Sequence, residues 1–170
     1  MAKVTRATQT LDRAGVSYEI VSYVYDPGAD RIGLQAANAL GVDPNSLIKT
    51  LMARVDGRPV CVMLSSAAEV SMKLLAAAFG GKNAEMLPPA DAERMTGYRI
   101  GGISPFGQQR LALTVIDRRV LDHRQIYLNA GQRGLQLLVD PADAVRVTGA
   151  IIANIAQVDK SEGKQIDKDC

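Results

Sequence analysis

Gly101-Gly102-Ile103-Ser104-Pro105-Phe106-Gly107 is the stretch around which the rest of this chain is best understood. Five of its seven residues are Gly, Pro or Ser, and the residues on both sides, Tyr98 and Ile100 before it and 111–116 after it, predict strands. Glycine accepts a positive φ and lets the backbone approach a ligand without a Cβ in the way. Such a loop can direct backbone N–H groups into a concavity, where they suit an oxyanion, a carbonyl or a phosphate. A tight turn that only avoids steric strain would use the same glycines.

Length and composition favour one soluble domain with a substantial core. The chain has 170 residues, of which 47% are hydrophobic and 22% are charged, and this length suits one domain better than two. It contains no apolar run of about 18 residues, the length that a membrane-spanning helix needs. The N-terminus lacks the apolar region of a signal peptide. We therefore expect a cytoplasmic protein without a membrane partner.

Cysteine and aromatic residues are few in this chain. The two cysteines, Cys61 and Cys170, form neither a disulfide framework nor a zinc-ligand spacing, and we expect no metal and no cofactor. The net charge of +2 neither demands nor excludes a nucleic-acid partner. With 4% aromatic residues and no Trp, a platform that stacks several bases is not expected. A nucleic acid would be held mainly through its phosphates and its shape.

Hydrophobic periodicity predicts many strands and a few short helices. Helices are predicted at 4–14 (capped by Thr5), 32–40, 72–79, 90–96 and 141–147, with a single turn after Asp43-Pro44. Strands are predicted at 16–25, 48–55, 59–64, 85–87, 111–116, 125–129 and 135–139, and 151–155 could be a strand or a helical turn. Asp56-Gly57 between two apolar runs is a strong hairpin signal. This order predicts an α+β fold with a mixed, mostly antiparallel curved sheet. We expect a single domain over 1–158 and a charged tail at 159–170 that frays.

The usual nucleophilic constellations are missing from this sequence. The single histidine, His123, lies in a polar connector and is expected to be solvated. Cys61 alternates with its neighbours in a hydrophobic strand, and buried structural thiols are inert. Ser65-Ser66 and Ser104 have no evident base nearby in the sequence. If the protein is an enzyme, its attacking atom is not expected to come from a triad.

Lys49 is an oddly placed ionisable residue. It stands among apolar residues at the start of the predicted strand 48–55, and lysine is seldom buried without a partner. It could be an edge residue whose stem covers apolar surface while its ammonium reaches water. It could equally be an ammonium in a pocket, facing an anion or a polarised carbonyl.

Three segments together carry a resemblance to a known family. They are 45–51 (NSLIKTL), 96–107 (TGYRIGGISPFG) and 126–135, which includes Ile126-Tyr127 and GQRGL at 131–135. Their order and spacing resemble the YbaK family of free-standing aminoacyl-tRNA editing deacylases, relatives of the editing domain inserted in bacterial prolyl-tRNA synthetases. The resemblance extends from about Thr5 to about Ile155. The branch that clears cysteine from mischarged tRNA(Pro) fits best, because Tyr18 and Tyr23 stand near Asp26-Pro27.

The resemblance implies a barrel-like mixed sheet with surrounding short helices and a site with defined members. Lys49 would be the pocket lysine, and Gly101 and Gly102 would line the scissile ester. Other positions implied to contact the substrate are Tyr23, Thr50, Ile103, Ser104, Pro105, Asn129, Gly131 and Arg133. The partner would be the acceptor end of an aminoacyl-tRNA, presented by prolyl- or cysteinyl-tRNA synthetase, and the protein would be a monomer or a weak homodimer.

Two departures from the family pattern leave the substrate open. Members of this branch typically have Ser-Gly-Gly-Lys-Arg-Gly where this chain has NAGQRG at 129–134, and often Asp where it has Gln136. A cysteinyl substrate would use its own thiol to attack its carbonyl, which suits a chain without a protein nucleophile. An alanyl substrate would need water or a ribose hydroxyl instead. A catalytically silent module that binds tRNA or a synthetase is the third reading.

Overall fold

Two β-sheets of different size carry the fold of the computed structural model, which describes residues 3–28 and 32–157. The helices are α1 (Arg6–Arg13), α2 (Ile32–Leu40), α3 (Met72–Ala78), α4 (Pro89–Thr96) and α5 (Pro141–Thr148). The strands are β1 (Glu19–Ser22), β2 (Ile48–Val55), β3 (Arg58–Ser65), β4 (Ala84–Met86), β5 (Leu113–Asp117), β6 (Ile126–Asn129), β7 (Leu135–Val139) and β8 (Ile151–Ala153). A 3₁₀ helix spans Arg118–Asp122.

The strand order confirms the mixed, mostly antiparallel α+β prediction. The smaller sheet has the order β1-β7-β6, and the larger has the order β4-β2-β3-β5-β8. All neighbours are antiparallel except β3 with β5 and β5 with β8, which are parallel. A parallel bridge between Leu47 and Tyr127 joins β2 to β6 and so joins the two sheets. The barrel-like curvature that the resemblance implies stays a prediction.

The β2–β3 hairpin forms around the predicted Asp56-Gly57 turn. Asp56 and Gly57 have φ values of 49° and 81°, and a two-residue turn with two positive φ values matches the twist of the flanking strands. The Asp56 carboxylate accepts hydrogen bonds from the backbone N–H groups of Lys82 and Asn83. Those bonds lower the pKa of Asp56 and fix the hairpin against the segment that leads into β4.

The starts of α1, α3 and α5 were predictable from their capping residues. The Thr5 and Thr8 side chains form a capping box at the start of α1, and Ser71 accepts from Leu74 N–H at the start of α3. Asp140 accepts from Ala142 N–H ahead of the proline that begins α5. Each side-chain oxygen satisfies a backbone donor that the first helical turn leaves open. These helices agree with the predicted ones to within one or two residues at most ends.

Several predicted elements are wrong or shorter in the structure. Residues 98–100 form no strand before the glycine loop but belong to a bend and a turn, whereas the single turn predicted after Asp43-Pro44 is present at 44–46. β1 covers four residues of the ten predicted. The predicted fraying of 159–170 lies outside the described residues. None of the helices within 3–28 and 32–157 is long and apolar enough to cross a membrane.

Candidate active site

A cavity of about 540 Å³ lies where β2 of the larger sheet faces the glycine loop and the end of the smaller sheet. Its walls come from several parts of the chain that are distant in sequence. The lining residues are Tyr23, Gly33, Leu34, Ala36, Leu47, Ile48, Lys49, Thr50, Leu51, Met52, Ser66, Glu69, Met86, Leu87, Pro89, Ala92, Ile100, Gly101, Ile103, Asn129 and Gln136. Most of these side chains are apolar, and the few polar groups converge from different strands, which is the usual composition of a small-molecule site.

Lys49 lies in the wall of this cavity and is partly buried. It pairs with Leu64 in the β2–β3 ladder, so its backbone is fixed inside the sheet. The bridge between Leu47 and Tyr127 is parallel, which brings the following residues of β2 alongside β6 and its last residue, Asn129. The ammonium therefore shares a cavity with the glycine loop and with the polar end of β6.

Gly101 occupies a position that another residue could not take without strain. Its φ is +86°, and an added Cβ would stand 2.8 Å from the Tyr25 hydroxyl. A residue with a side chain would thus meet both an unfavourable backbone conformation and a steric clash. The glycine lets the backbone itself form part of the cavity wall.

Three hydrogen bonds fix the orientation of the peptides around Gly101. Arg133 Nε donates to the carbonyl of Ile100 over 2.8 Å, and Asn129 Nδ2 donates to the carbonyl of Gly101 over 3.0 Å. The N–H of Gly102 donates to the carbonyl of Arg99 over 2.8 Å. In a trans peptide the C=O and N–H groups point in opposite directions, so the Gly101 N–H is directed away from Arg133. Among the described residues it has no acceptor.

Asn129 is the residue that connects the two glycine-bearing turns. It is 8% exposed, and its amide oxygen accepts from the N–H of Gly131 over 2.8 Å while its nitrogen holds Gly101. Gly131 has a φ of +92°, and a Cβ there would lie 2.7 Å from the Tyr98 ring. The amide uses a donor and an acceptor at once, which fits it for this bridging position.

Tyr23 and Gln136 form the polar part of the wall contributed by the smaller sheet. Burial raises the pKa of Tyr23 above its ordinary value, and hydrogen bonding to the Gln136 side chain and the Gly134 backbone partly offsets this rise. Gln136 is 4% exposed and pairs with Asn129 across the β6–β7 ladder. Tyr23 therefore stays a neutral phenol at physiological pH.

The cavity brings together only part of the predicted site. It includes Lys49, Thr50, Gly101, Ile103, Asn129 and Tyr23 but does not include Gly102, Ser104, Pro105, Gly131 or Arg133 among the described lining residues. Ser104 is fully buried, and its hydroxyl accepts from Phe106 N–H within the loop. Gly102 and Gly131 use their N–H groups inside the turns. These three residues help to shape the turns, and the contact predicted between all five residues and the substrate stays a prediction.

Arg133 lies on the outside of the same loop. Its side chain is exposed, and its guanidinium stands over the Tyr25 ring at 5.1 Å from the ring centre. Stacking and the bond to Ile100 hold the side chain in place, and guanidinium N–H groups remain that could meet a phosphate outside the cavity.

The reactive side chains of the described residues are buried, already hydrogen-bonded or outside the cavity wall. Cys61 is 1% exposed, and burial raises its pKa to about 12. Ser66 lines the cavity, but its hydroxyl donates to the carbonyl of Leu47 over 2.7 Å. His123 caps the 3₁₀ helix and is not part of the described cavity wall. Within 3–28 and 32–157, no three His, Cys, Asp or Glu residues cluster as metal ligands would.

Sequence reasoning missed two walls of the cavity, those supplied by α2 and α4. Gly33, Leu34 and Ala36 come from α2, and Pro89 and Ala92 from α4. Gly33 was the available signal. Glycine within a helix costs about 1 kcal/mol relative to alanine, so its presence suggests that another part of the chain packs closely against the helix there. A Cβ at Gly33 would stand 2.8 Å from the Ser66 side chain.

Comparison with known proteins gives a family match over most of the chain. The model of the family described as "Aminoacyl-tRNA editing domain" matches residues 26–147. The match includes α2, the cavity residues of β2, the glycine loop and both strands that contribute Asn129 and Gln136.

Two curated relatives and one solved structure show how far the similarity extends. The "Putative Cys-tRNA(Pro)/Cys-tRNA(Cys) deacylase EbsC" of Enterococcus faecalis is 29% identical over 153 residues, which is 89% of this chain and 92% of that protein. The "Multifunctional Ser/Thr-tRNA deacylase ProXp-y" of Escherichia coli is 22% identical over 88% of this chain and 90% of that protein. A crystal structure of "a putative trans-editing enzyme for prolyl tRNA synthetase" superposes with a TM-score of 0.79 at 20% identity, covering 90% of this chain and 96% of that one.

Proposed function

Because the chain belongs to the aminoacyl-tRNA editing domain family, we propose that it is a trans-editing enzyme that clears cysteine from mischarged tRNA(Pro). Cleavage of the ester between an amino acid and tRNA is the activity that its family and named relatives share. The cysteinyl substrate is supported by the name of the Enterococcus relative, which pairs Cys-tRNA(Pro) with Cys-tRNA(Cys). Cys-tRNA(Cys) is therefore a second substrate to test, in the cytoplasm where tRNA is charged.

The observation that carries this proposal is that the described cavity wall has groups that could stabilise an oxyanion but no available nucleophile. Lys49 and Gly101 line the cavity, and an ammonium and a backbone N–H both suit a polarised carbonyl or an anion, yet the described wall offers no thiol and no histidine. Its serine, Ser66, is already engaged with a backbone carbonyl. An attacking atom supplied by the substrate completes such a site, and cysteine brings a thiol.

The proposed reaction is an intramolecular acyl transfer. The cysteine sulfur forms a bond to the carbonyl carbon of its own ester and loses its proton. The bond from that carbon to the ribose oxygen breaks, and the ribose hydroxyl takes up a proton. The products are a four-membered thiolactone and free tRNA. Holding the thiol near the carbonyl supplies much of the rate, because orientation can contribute about 7–11 kcal/mol.

Electrostatic groups would act where charge develops. The Gly101 N–H would donate to the carbonyl oxygen as it becomes an oxyanion. The Arg133 bond to the Ile100 carbonyl holds that peptide before the reaction, and the Asn129 bond to the Gly101 carbonyl holds the next peptide. Lys49 would face the ribose oxygen or the terminal phosphate. Ile103, Thr50 and Tyr23 would contact the aminoacyl ribose from the wall.

A panel of charged tRNAs tests the proposal. Deacylation is measured with cysteinyl-, alanyl- and seryl-tRNA(Pro) and with cysteinyl-tRNA(Cys), and the released product is identified by mass. We expect the cysteinyl esters to react fastest and to yield the thiolactone. Faster cleavage of alanyl- or seryl-tRNA(Pro) to the free amino acid would replace the cysteinyl substrate with one attacked by water or a ribose hydroxyl. Binding without cleavage would leave a tRNA- or synthetase-binding module.

The proposed partner is the acceptor end of the tRNA, delivered by prolyl- or cysteinyl-tRNA synthetase. The structural neighbour whose description mentions prolyl-tRNA synthetase motivates the first choice. Adding each synthetase to the deacylation assay at low tRNA concentration, with size-exclusion chromatography of the enzyme alone, tests both the partner and the expected monomer or weak homodimer.

A further inference from the structure

The wall of the cavity carries buried polar atoms that the described chain does not satisfy. Within 3–28 and 32–157, three buried side-chain atoms have no hydrogen-bond partner: Gln35 Oε1, Thr50 Oγ1 and Gln136 Oε1. Thr50 and Gln136 line the cavity, whereas Gln35 is not among its lining residues. A buried acceptor left unpaired destabilises the fold, so nearly all such atoms in native proteins have a partner. A ligand in the cavity would supply one.

Gln136 lines the cavity and is almost completely buried. It is 4% exposed, whereas Met86 and Ile100 of the same wall are 43% and 36% exposed. Its partner across the ladder is Asn129, the residue that holds the carbonyl of Gly101. Directly paired residues of antiparallel strands place their side chains on one face. The Gln136 and Asn129 side chains are therefore neighbours on the face of the smaller sheet from which Asn129 reaches the glycine loop.

The size of the substrate decides which of its ends reaches Gln136. A tRNA is far larger than a cavity of about 540 Å³, so its terminal ribose must stay at the mouth and the amino acid must occupy the deep end. An amide oxygen accepts hydrogen bonds and cannot donate them. The aminoacyl group offers two kinds of donor, its α-amino group and its side chain. A cysteine thiol is a weak donor, and in the proposed reaction its sulfur is at the carbonyl carbon.

We propose that Gln136 Oε1 accepts a hydrogen bond from the α-amino group of the aminoacyl ester. Gln136 is then a specificity residue that recognises a free α-amine. This inference rests on the proposed function, since it needs the ester carbonyl at Gly101. The proposed contact does not depend on which amino acid is attached to the tRNA, because the α-amino group is common to aminoacyl esters.

The contact would do two things for the reaction. Together with the Gly101 N–H it holds the amino acid at two points, the amine and the carbonyl, so that the side chain is turned toward the carbonyl carbon. It also rejects esters whose α-nitrogen is acylated, as in a peptidyl-tRNA. Acylation both removes an N–H and adds bulk against a wall that is nearly closed to solvent at Gln136.

A cycle of one enzyme change and one substrate change tests this contact. The enzyme change is Gln136→Met, which keeps a similar volume but removes the acceptor. The substrate change is 3-mercaptopropionyl-tRNA(Pro), which keeps the thiol and the ester but lacks the α-amine. Single-turnover deacylation is measured for all four combinations. If the effect of the enzyme change on the rate depends on which substrate is used, the two altered groups interact.

We expect either change alone to slow deacylation by about 10- to 100-fold, the range for an unmatched buried hydrogen-bonding group. Both changes together should cost no more than one alone. Gln35→Met is the matched control, because it removes the other unsatisfied glutamine oxygen, the one away from the cavity. Its ratio of deacylation rates for the two substrates should equal that of the wild type.

The inference is overturned if the rate losses from the two changes multiply when they are combined. It is also overturned if Gln136→Met keeps the wild-type preference for the amine-bearing ester. Gln136→Leu is measured in parallel, with melting curves for both variants, so that a folding defect in one does not decide the result. If the wild type prefers alanyl- or seryl-tRNA, the proposed cysteinyl substrate is wrong. The same cycle, run with that ester and its desamino analogue, then judges the role of Gln136 separately.

Discussion

The two ends of the segment 101–107 lie in different environments although they belong to one glycine-rich motif. At one end, Gly101 lines the cavity and is held by Asn129 from the smaller sheet. At the other end, Ser104 and Phe106 are 0% and 1% exposed, and the Phe106 carbonyl accepts from the Tyr98 hydroxyl over 2.5 Å. One end contributes to the cavity wall, and the other inserts side chains into the core. Residues of one sequence motif can therefore lie in different environments, which the sequence of the motif does not distinguish.

The largest effect is expected from the cation that shares the cavity with Gly101. Lys49→Ala should slow deacylation by about 100- to 1,000-fold, the usual cost of removing one preorganised electrostatic group. Lys49→Arg should restore only part of the rate, because a planar guanidinium does not replace a compact ammonium. Single-turnover deacylation of cysteinyl-tRNA(Pro) measures both variants.

Melting curves run beside these assays separate catalysis from folding. Lys49 is partly buried in the cavity wall, so its loss should change thermal stability little in comparison with its effect on rate. If folded Lys49→Ala protein turns over like the wild type, Lys49 is a surface lysine with no part in the reaction.

The adjacent glycines give the sharpest test of the cavity-facing end. Gly101→Ala meets a φ of +86° and the Tyr25 hydroxyl, so it should displace the peptide and slow deacylation by about 100-fold. Gly102→Ala places its Cβ 3.1 Å from the Arg133 backbone nitrogen, with no positive φ. It should slow the reaction far less. Equal losses in both variants would mean that the loop acts as one unit and that the Gly101 N–H has no special role.

The sequence was sufficient for the elements whose cause is local. The Asp56-Gly57 turn, the Thr5 capping box and the helix stop at Gly97 follow from residues within a few positions of each other. The sequence pattern and the family resemblance also selected Lys49 and Gly101 as site residues, and both lie in the cavity. An isolated lysine in an apolar strand and a glycine-rich loop are conspicuous in a sequence, whatever their role.

The rest of the site depends on contacts between distant residues. Whether the N–H of Gly101 or of Gly102 is available depends on Arg133 and Asn129, about thirty positions further along the chain. The strand predicted at 98–100 failed for a similar reason, because the backbone there turns so that Tyr98 can be buried and reach Phe106. Neither arrangement has a periodic signature in the sequence.

The buried end of the loop should affect stability more than catalysis. Ser104→Ala removes the hydroxyl that accepts from Phe106 N–H over 3.2 Å, and a lost hydrogen bond of this kind costs about 1 kcal/mol. We expect the free energy of unfolding to fall by about that amount, with the deacylation rate nearly unchanged. Urea denaturation beside a rate assay checks both. A rate loss comparable to that of Gly101→Ala would return Ser104 to the site.

The smallest effect on catalysis is expected at Cys61, next to the cavity but outside it. Gln108 Nε2 approaches both its sulfur, at 3.6 Å, and that of Met52, at 3.7 Å, so Cys61 packs behind a lining residue. Since the proposed substrate supplies its own thiol, Cys61→Ser should leave deacylation nearly unchanged. Lost turnover in a folded Cys61→Ser protein would mean that the attacking sulfur belongs to the protein.

The same thiol should show itself in the pH dependence of stability. Burial raises the pKa of Cys61 to about 12, whereas a thiol in an unfolded chain titrates near about 8.5. Between these values the unfolded chain releases a proton that the folded chain keeps, so unfolding becomes easier as pH rises. The wild type should lose about 2 kcal/mol of unfolding free energy between about pH 8 and pH 10 that Cys61→Ser does not lose. Tyr98, whose pKa burial also raises to about 12, starts from about 10 in the unfolded chain and contributes mainly above this window. Parallel slopes for the two proteins in urea titrations over that range would show that the Cys61 thiol ionises as easily in the folded protein as in the unfolded one.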